Sequence, residues 1–300
     1  MSNSNNPLIS IVIPTYNHAP YLKNCLNSII AQTFKEWEAI VVNNYSEDNT
    51  IDVINGFTDP RIRLVNFRNN GIIAASRNEG VRLSRGEFIA FLDSDDWWYP
   101  KKLETVGKFL PGADVVFHDL DIIAAKRENR RKKGKGRHLK KPIFADLMRN
   151  ENALSNSSVV VRKDIINKVG GLSEDASIIS VEDFDLWLRI SRITERFVYV
   201  PVSLGTYRIG EPNISASIDK HINSIKKVYN RHLSFLPPKD RTQSEMRMNY
   251  CIARIVLNKR LYDQALDYLK KSLGINNLSI KMKTCCLIAM IYFKKYCKFS

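Results

Sequence analysis

The chain has 300 residues, 44% of them hydrophobic, with 46 Lys and Arg against 31 Asp and Glu. That length holds one domain of ordinary size plus a smaller addition, and the apolar share excludes an extended disordered chain. The net charge of +15 leaves nucleic acid, anionic membrane and acidic substrates open as partners.

Residues 1–6 lack a charged leader region and an apolar segment behind it, so no signal peptide is expected. No apolar run approaches the roughly 18 residues that a membrane-spanning helix needs. The five cysteines, at 25, 251, 285, 286 and 297, form no CxxC pair. They read as reduced thiols of a cytoplasmic protein.

Residues 8–14 (LISIVIP) are apolar, rich in β-branched side chains and stopped by proline, which predicts a buried strand. Leu22, Leu26, Ile29 and Ile30 then recur at helical spacing within 21–32. A second strand is expected at 38–42, a polar turn at 43–50 and a short helix at 51–57. Strands at 62–67 and 86–92 enclose a helix at 74–83. This alternation predicts an α/β fold, a mostly parallel sheet with helices on both faces. Beyond Asp96 the pattern loosens, with strands expected at 114–117 and 158–161, a helix at 180–193 and an extended stretch at 196–201. Residues 211–243, which contain Pro237 and Pro238, read as a linker, and 244–300 as a small helical region with helices at 245–259, 262–273 and 280–296.

In an open parallel sheet, ligands bind beyond the carboxyl ends of the strands. Three polar groups fall there: Pro14, Thr15, Tyr16 and Asn17 after the first strand, Asn43 and Asn44 after the second, and Asp93, Ser94, Asp95 and Asp96 after the fourth. Clustered carboxylates repel one another, a cost that a bound divalent cation removes. Hard ions take one or two carboxylates and complete their shell with phosphate oxygens. An acidic helix start, complementing the helix dipole, is the plainer alternative.

The series PTYN, VVNNYSEDNT, NNGIIAASRNEG, SRGEFIAFLDSDDWWYPKKL and VEDFDLWLRIS closely resembles the motif series of family 2 glycosyltransferases, inverting enzymes with the GT-A fold. It spans residues 8–209, about two thirds of the chain. The resemblance implies a nucleotide-sugar-binding half at 8–100 and an acceptor half at 101–210. It implies that the segment of Pro14, Thr15, Tyr16 and Asn17 flanks the nucleotide base, with Tyr16 offering stacking area. Asn43 stands where the family usually has an acid that binds the uracil edge, and an amide can also meet that edge. Arg77 and Asn78 match the segment near the donor phosphates and sugar, while Arg77 could equally pair with Glu79 or Asp93. Asp93, Ser94 and Asp95 are implied to hold the diphosphate and a Mn²⁺ or Mg²⁺ ion, Asp95 as direct ligand and Asp93 at the ribose or metal. Asp183 is implied to be the general base for the acceptor hydroxyl, and Glu182 to position it or the acceptor. Tyr207 and Arg208 match the entrance to the site, an ion pair of Arg208 with Glu182 or Asp185 being the structural alternative.

Residues 126–141 carry ten basic side chains and one acid, with Gly134 and Gly136 and no apolar periodicity, which predicts a mobile loop. The preferred partner is an anionic membrane, or the diphosphate of a lipid-linked acceptor, at the inner face of the cell membrane. The apolar stretch 285–293, bracketed by lysines, supports an interfacial helix, and a buried terminal helix is the alternative. The functional expectation is transfer from a UDP-hexose or UDP-N-acetylhexosamine to a glycan or lipid-linked acceptor, in building a surface glycan such as a capsule or O-antigen. A transferase-like protein that has lost catalysis and binds nucleic acid through 126–141 is the competing class. That segment has no aromatic residue for base stacking, so no specific nucleic acid is expected.

Overall fold

The structure, a computed structural model, describes residues 7–124, 131–134, 136–209 and 218–296. Strand β1 (Ile9–Thr15) is buried along its whole length. Its alternation sends Ile9, Ile11 and Ile13 to one face of the sheet and Val12 to the other, because successive strand side chains point to opposite sides. Helix α1 (Ala19–Ile30) covers the first face with Leu22, Cys25, Leu26 and Ile29. Strand β2 (Trp37–Asn43), helix α2 (Thr50–Asn55), strand β3 (Ile62–Asn66), helix α3 (Ile73–Leu83) and strand β4 (Phe88–Phe91) follow. Gly80 lets α3 press against β1, since a Cβ there would come within 2.4 Å of Val12.

The order β3-β2-β1-β4 is parallel throughout, so the ends of β1, β2 and β4 share one edge. The second half of the sheet is mixed. Strand β5 (Trp97–Trp98) and helix α4 (Lys102–Gly107) lead into β6 (Val115–Ala124) and β7 (Arg131–Gly134). Helix α5 (Ile143–Asn150), strand β8 (Val160–Arg162), helices α6 (Lys163–Lys168) and α7 (Glu182–Ile190) and strand β9 (Phe197–Ile209) complete it. Strand β8 joins β4 to β6 antiparallel to both, while β9 runs parallel to β6 and antiparallel to β5.

Two expectations change here. Within the basic segment, β7 pairs antiparallel with β6, so 131–134 is a hairpin strand; residues 125–130 and 135 lie outside the described residues. Its glycines serve close packing, because a Cβ on Gly136 would come within 2.7 Å of the Tyr199 ring and one on Gly134 within 3.0 Å of Ile122. The stretch 211–243 is not a linker where it is described. It contains helix α8 (Ile218–Leu233), and helix α9 (Pro238–Asn258) begins within it, Pro238 standing in the first turn where its missing N–H costs nothing.

Ile222, Ile225, Val228 and Tyr229 of α8 join the same apolar cluster as Phe184 and Leu186 of α7. Buried Asp185 binds Arg189, Arg231 and His232 at 2.8, 3.1 and 3.0 Å, which locks α8 onto α7. Burial opposes its charge, but the His232 hydrogen bond and the Arg189 guanidinium outweigh it and hold the carboxyl at about 2. Helices α10 (Tyr262–Lys271) and α11 (Leu278–Tyr296) finish the chain, and Ala265, Leu269, Ile280 and Ile291 extend the same cluster. No helix among the described residues is long and apolar enough to cross a membrane.

Candidate active site

The acidic loop follows β4 directly. Asp93 and Asp95 stay partly exposed, whereas Ser94 and Asp96 are buried. Asp96 does not cap a helix: its carboxylate accepts from Ser157 Oγ at 2.5 Å and from the Arg208 N–H at 2.9 Å. Ser157 Oγ also accepts the Asp93 N–H at 3.1 Å, and the Ser157 carbonyl accepts Trp98 Nε1–H at 2.8 Å. This turn before β8 therefore fixes the backbone of the acidic loop. Ser157→Ala is expected to cost about 1–3 kcal/mol, because it leaves buried polar partners unmatched. An unchanged urea-denaturation midpoint would show that the loop holds without it.

The acids crowd one another. Burial and the Asp93 charge raise the Asp95 carboxyl above the usual range, and burial with Asp95 and Asp93 raises Asp96 further. Arg77, on α3 and only 4% exposed, bridges Asp93 Oδ1 at 2.7 Å and Glu182 Oε1 at 2.6 Å. Burial opposes its charge, but the carboxylates outweigh that and hold the guanidinium firmly protonated. Glu79 pairs with Arg82 instead. Arg77 thus joins the acidic loop to the start of α7.

Asp183 opens α7 half-buried, its Oδ1 accepting the Phe184 N–H at 2.7 Å. Burial and Glu182 push its carboxyl up to about 7 against the opposing pull of Arg77. A carboxylate so poised can take a proton near neutral pH. The Tyr207 phenol is raised by burial and by Asp96, Asp93, Asp95 and Asp183, so it remains an O–H donor beside them. The Arg208 guanidinium lies 4.5 Å over the Tyr21 ring; Glu182 and Asp185 have the other partners already named.

At the β1 and β2 ends, Tyr16 is exposed and Thr15 is buried, its Oγ1 without a hydrogen-bond partner among the described residues. Pro14 is buried within β1. Asn17, at φ 51°, accepts the Glu47 N–H at 2.8 Å and donates its own N–H to Ser46 Oγ at 2.9 Å, stitching the two loops together. Tyr45, exposed at φ 54°, gives this edge a second aromatic face. Asp48 accepts from Thr50 and Ala19 backbone N–H groups, securing the starts of α2 and α1.

Two residues expected at the donor have their amides engaged within the protein. Asn43 is fully buried, with Nδ2 donating to Asn66 Oδ1 at 2.8 Å and Oδ1 accepting from Ser46 N and Oγ at 3.1 and 2.6 Å. It sits opposite Asn66 in the β2–β3 register, so its amide faces the neighbouring strand. Asn78 holds the 172–174 segment through the Leu172 backbone and Glu174.

Groups distant in the sequence also reach the acidic loop. His18 Nδ1 lies 2.7 Å from Ser94 Oγ, and Asn156 Nδ2 lies 3.3 Å from Asp93 Oδ1. His18 was within reach of the sequence as the residue after PTYN; nothing local marks Asn156 or Ser157.

No set of three or more His, Cys, Asp or Glu side chains among the described residues is arranged to hold a metal by itself. The donor set nevertheless suits a hard cation completed by phosphate oxygens: two partly exposed carboxylates, Asp93 and Asp95, whose mutual repulsion a cation would relieve.

The sequence pattern of glycosyl transferase family 2 matches residues 10–170. The chain belongs to that family. An uncharacterised glycosyltransferase of Methanocaldococcus jannaschii is 31% identical over 232 residues, 74% of this chain and 75% of that protein. One from Rickettsia typhi is 30% identical over 197 residues, 64% of this chain and 61% of its own length. The putative teichuronic acid biosynthesis glycosyltransferase TuaG of Bacillus subtilis is 36% identical over 113 residues, 37% of this chain and 45% of TuaG. The chain thus spans less than two thirds of the length of some of these relatives. Among solved structures, Staphylococcus aureus TarS 1–349 with UDP-GlcNAc superposes with a TM-score of 0.59 at 16% identity, over 96% of this chain and 91% of that one. A Pyrobaculum calidifontis mannosyltransferase with GDP-mannose and Mn²⁺ gives 0.62 at 17%, over 99% and 84%. These superpositions establish the GT-A fold.

Proposed function

We propose that the protein transfers a hexose or N-acetylhexosamine from a UDP-sugar to a hydroxyl of a glycan or lipid-linked glycan, with inversion and with metal assistance. The observation that carries this reading is Asp183, poised at about 7 at the start of α7 and tied through Glu182 and Arg77 to Asp93 of the acidic loop. TarS binding UDP-GlcNAc supports the choice of donor class, and the mannosyltransferase complex supports the use of a metal.

In this mechanism the exposed faces of Tyr16 and Tyr45 flank the base, and Thr15 Oγ1 offers a hydrogen bond beside it. The buried amide of Asn43 shapes that end of the site by holding Ser46 and Asn66. Asp95, with Asp93, would hold Mn²⁺ or Mg²⁺, which supplies Lewis-acid stabilisation of the departing diphosphate. Asp183 takes the proton from the acceptor hydroxyl as its oxygen attacks the anomeric carbon on the face opposite the leaving group. Arg77 pairs with Glu182 and Asp93 and so holds the two acids in place, and the Tyr207 O–H stands ready to donate among the acids. Residues 1–210 carry the transfer, at the cytoplasmic face where a lipid-linked surface-glycan precursor is accessible, and the helices beyond are an addition docked through α8.

Incubation with a panel of UDP- and GDP-sugars and Mn²⁺ or Mg²⁺ should release nucleotide slowly, with one sugar preferred and release lost on chelation. No nucleotide-sugar turnover or binding under any of these conditions would remove the reading.

A further inference from the structure

We infer that α11 is a peripheral docking element for an anionic lipid surface, through an apolar stripe on the side facing away from the protein. One side of the helix is anchored: Ile280, Thr284 and Ile291 are buried, and Leu287 and Ile288 are half-buried against the helical core. With 3.6 residues per turn, Leu278, Met282, Cys285, Ala289 and Phe293 fall on the opposite side. All five are exposed, Leu278, Met282 and Phe293 at 70, 61 and 68%. A helix that is apolar on both sides but covered on one leaves the other in want of a low-polarity surface.

Charge identifies what that surface is. Residues 278–300 contain five lysines and no acid. Lys281 lies along one border of the stripe and Lys283 and Lys294 along the other, all three exposed. Lysines bordering an apolar stripe lay their methylene stems along it and carry the ammonium to the polar boundary, as an interfacial helix requires. Stacking the stripe on a second copy of itself would bring those lysines together without a compensating acid. A polyanion such as nucleic acid would meet the lysines but leave Leu278, Met282 and Phe293 in water. An anionic bilayer satisfies both features.

The test is co-sedimentation of the full chain with vesicles of phosphatidylcholine, with and without phosphatidylglycerol. The wild type should bind the anionic vesicles at least about tenfold more strongly than the neutral ones, a preference that high salt removes. Met282→Glu with Phe293→Glu should lower that binding by about tenfold or more. Lys281→Gln, Lys283→Gln and Lys294→Gln together should erase the preference for anionic lipid. Both variants change exposed side chains, so their melting temperatures and donor hydrolysis without vesicles should match the wild type. Those controls separate this inference from the catalytic reading, on which it does not depend. Absence of vesicle binding by the wild type, or equal binding by the Met282→Glu, Phe293→Glu variant, would overturn it. So would self-association in sedimentation velocity that this variant abolishes while vesicles bind neither form.

Discussion

Asp183→Asn is expected to lower sugar transfer by about 10²–10⁴-fold, the usual worth of a positioned general base, while donor affinity stays within about twofold. The wild-type rate should climb through pH 7 and level off above it, because the group must be ionised to accept the acceptor's proton and its pKa is raised to about 7. The residual rate of the variant should lack that limb. The same shift predicts an opposite effect on stability. In the unfolded chain Asp183 ionises near its ordinary value of 3.8, so its folded form is penalised as pH rises from about 4 to about 7. Asparagine removes that penalty. The variant should therefore match the wild type near pH 4 and exceed it by about 1–3 kcal/mol at pH 8, read from urea unfolding at both values. An inactive variant that is also less stable at pH 8 would point to lost packing instead of a lost base.

The parts of this site legible in the sequence are those in which chemistry sits directly on a strand or helix end. Residues 8–14 and 86–92 announce buried strands by composition, so the acids after Phe91 and Leu92 fall at a sheet edge without further information. The Glu182, Asp183 pair is visible in the same way, because Phe184, Leu186, Trp187, Leu188 and Ile190 mark the helix behind it. What escapes is the partner of each group. Arg77 could be assigned to the donor or to an acid, but its bridge reaches Glu182, 105 positions away, where the fold brings the start of α7 to the side chain from α3. Asn43 looks like a base-reading amide until β3 brings Asn66 alongside it. The hairpin strand β7 is masked by its charge, since pairing with β6 supplies the order that apolar alternation does not. Charge hides α8 in a similar way, its apolar residues being interleaved with Lys220, Lys226, Lys227 and Arg231.

Arg77→Met should be the most damaging single substitution in the site for stability. The guanidinium compensates two carboxylates at 2.6–2.7 Å in a buried setting, and the methionine would leave Glu182, itself buried, and Asp93 with like charges around them. Removing one member of such a buried arrangement typically costs about 3–5 kcal/mol, because a charge without its counter-ion is left behind. Catalysis should fall as well, with a specific signature. Arg77 pulls the Asp183 pKa down, so without it the rising limb of the pH–rate profile should move above 7. Arg77→Lys keeps the charge but cannot offer two separate N–H groups in a planar fork, so it should lie between wild type and methionine. Adding Glu182→Gln to Arg77→Met removes the stranded charge, and the double variant should be less destabilised than the sum of the single changes. A contact from Arg77 to the donor phosphates would give a different result: a large rise in donor KM, near-normal stability and an unmoved pH limb. The bridge observed between α3, the acidic loop and α7 requires the first pattern, because the residue that holds the acids together also sets the proton affinity of the base.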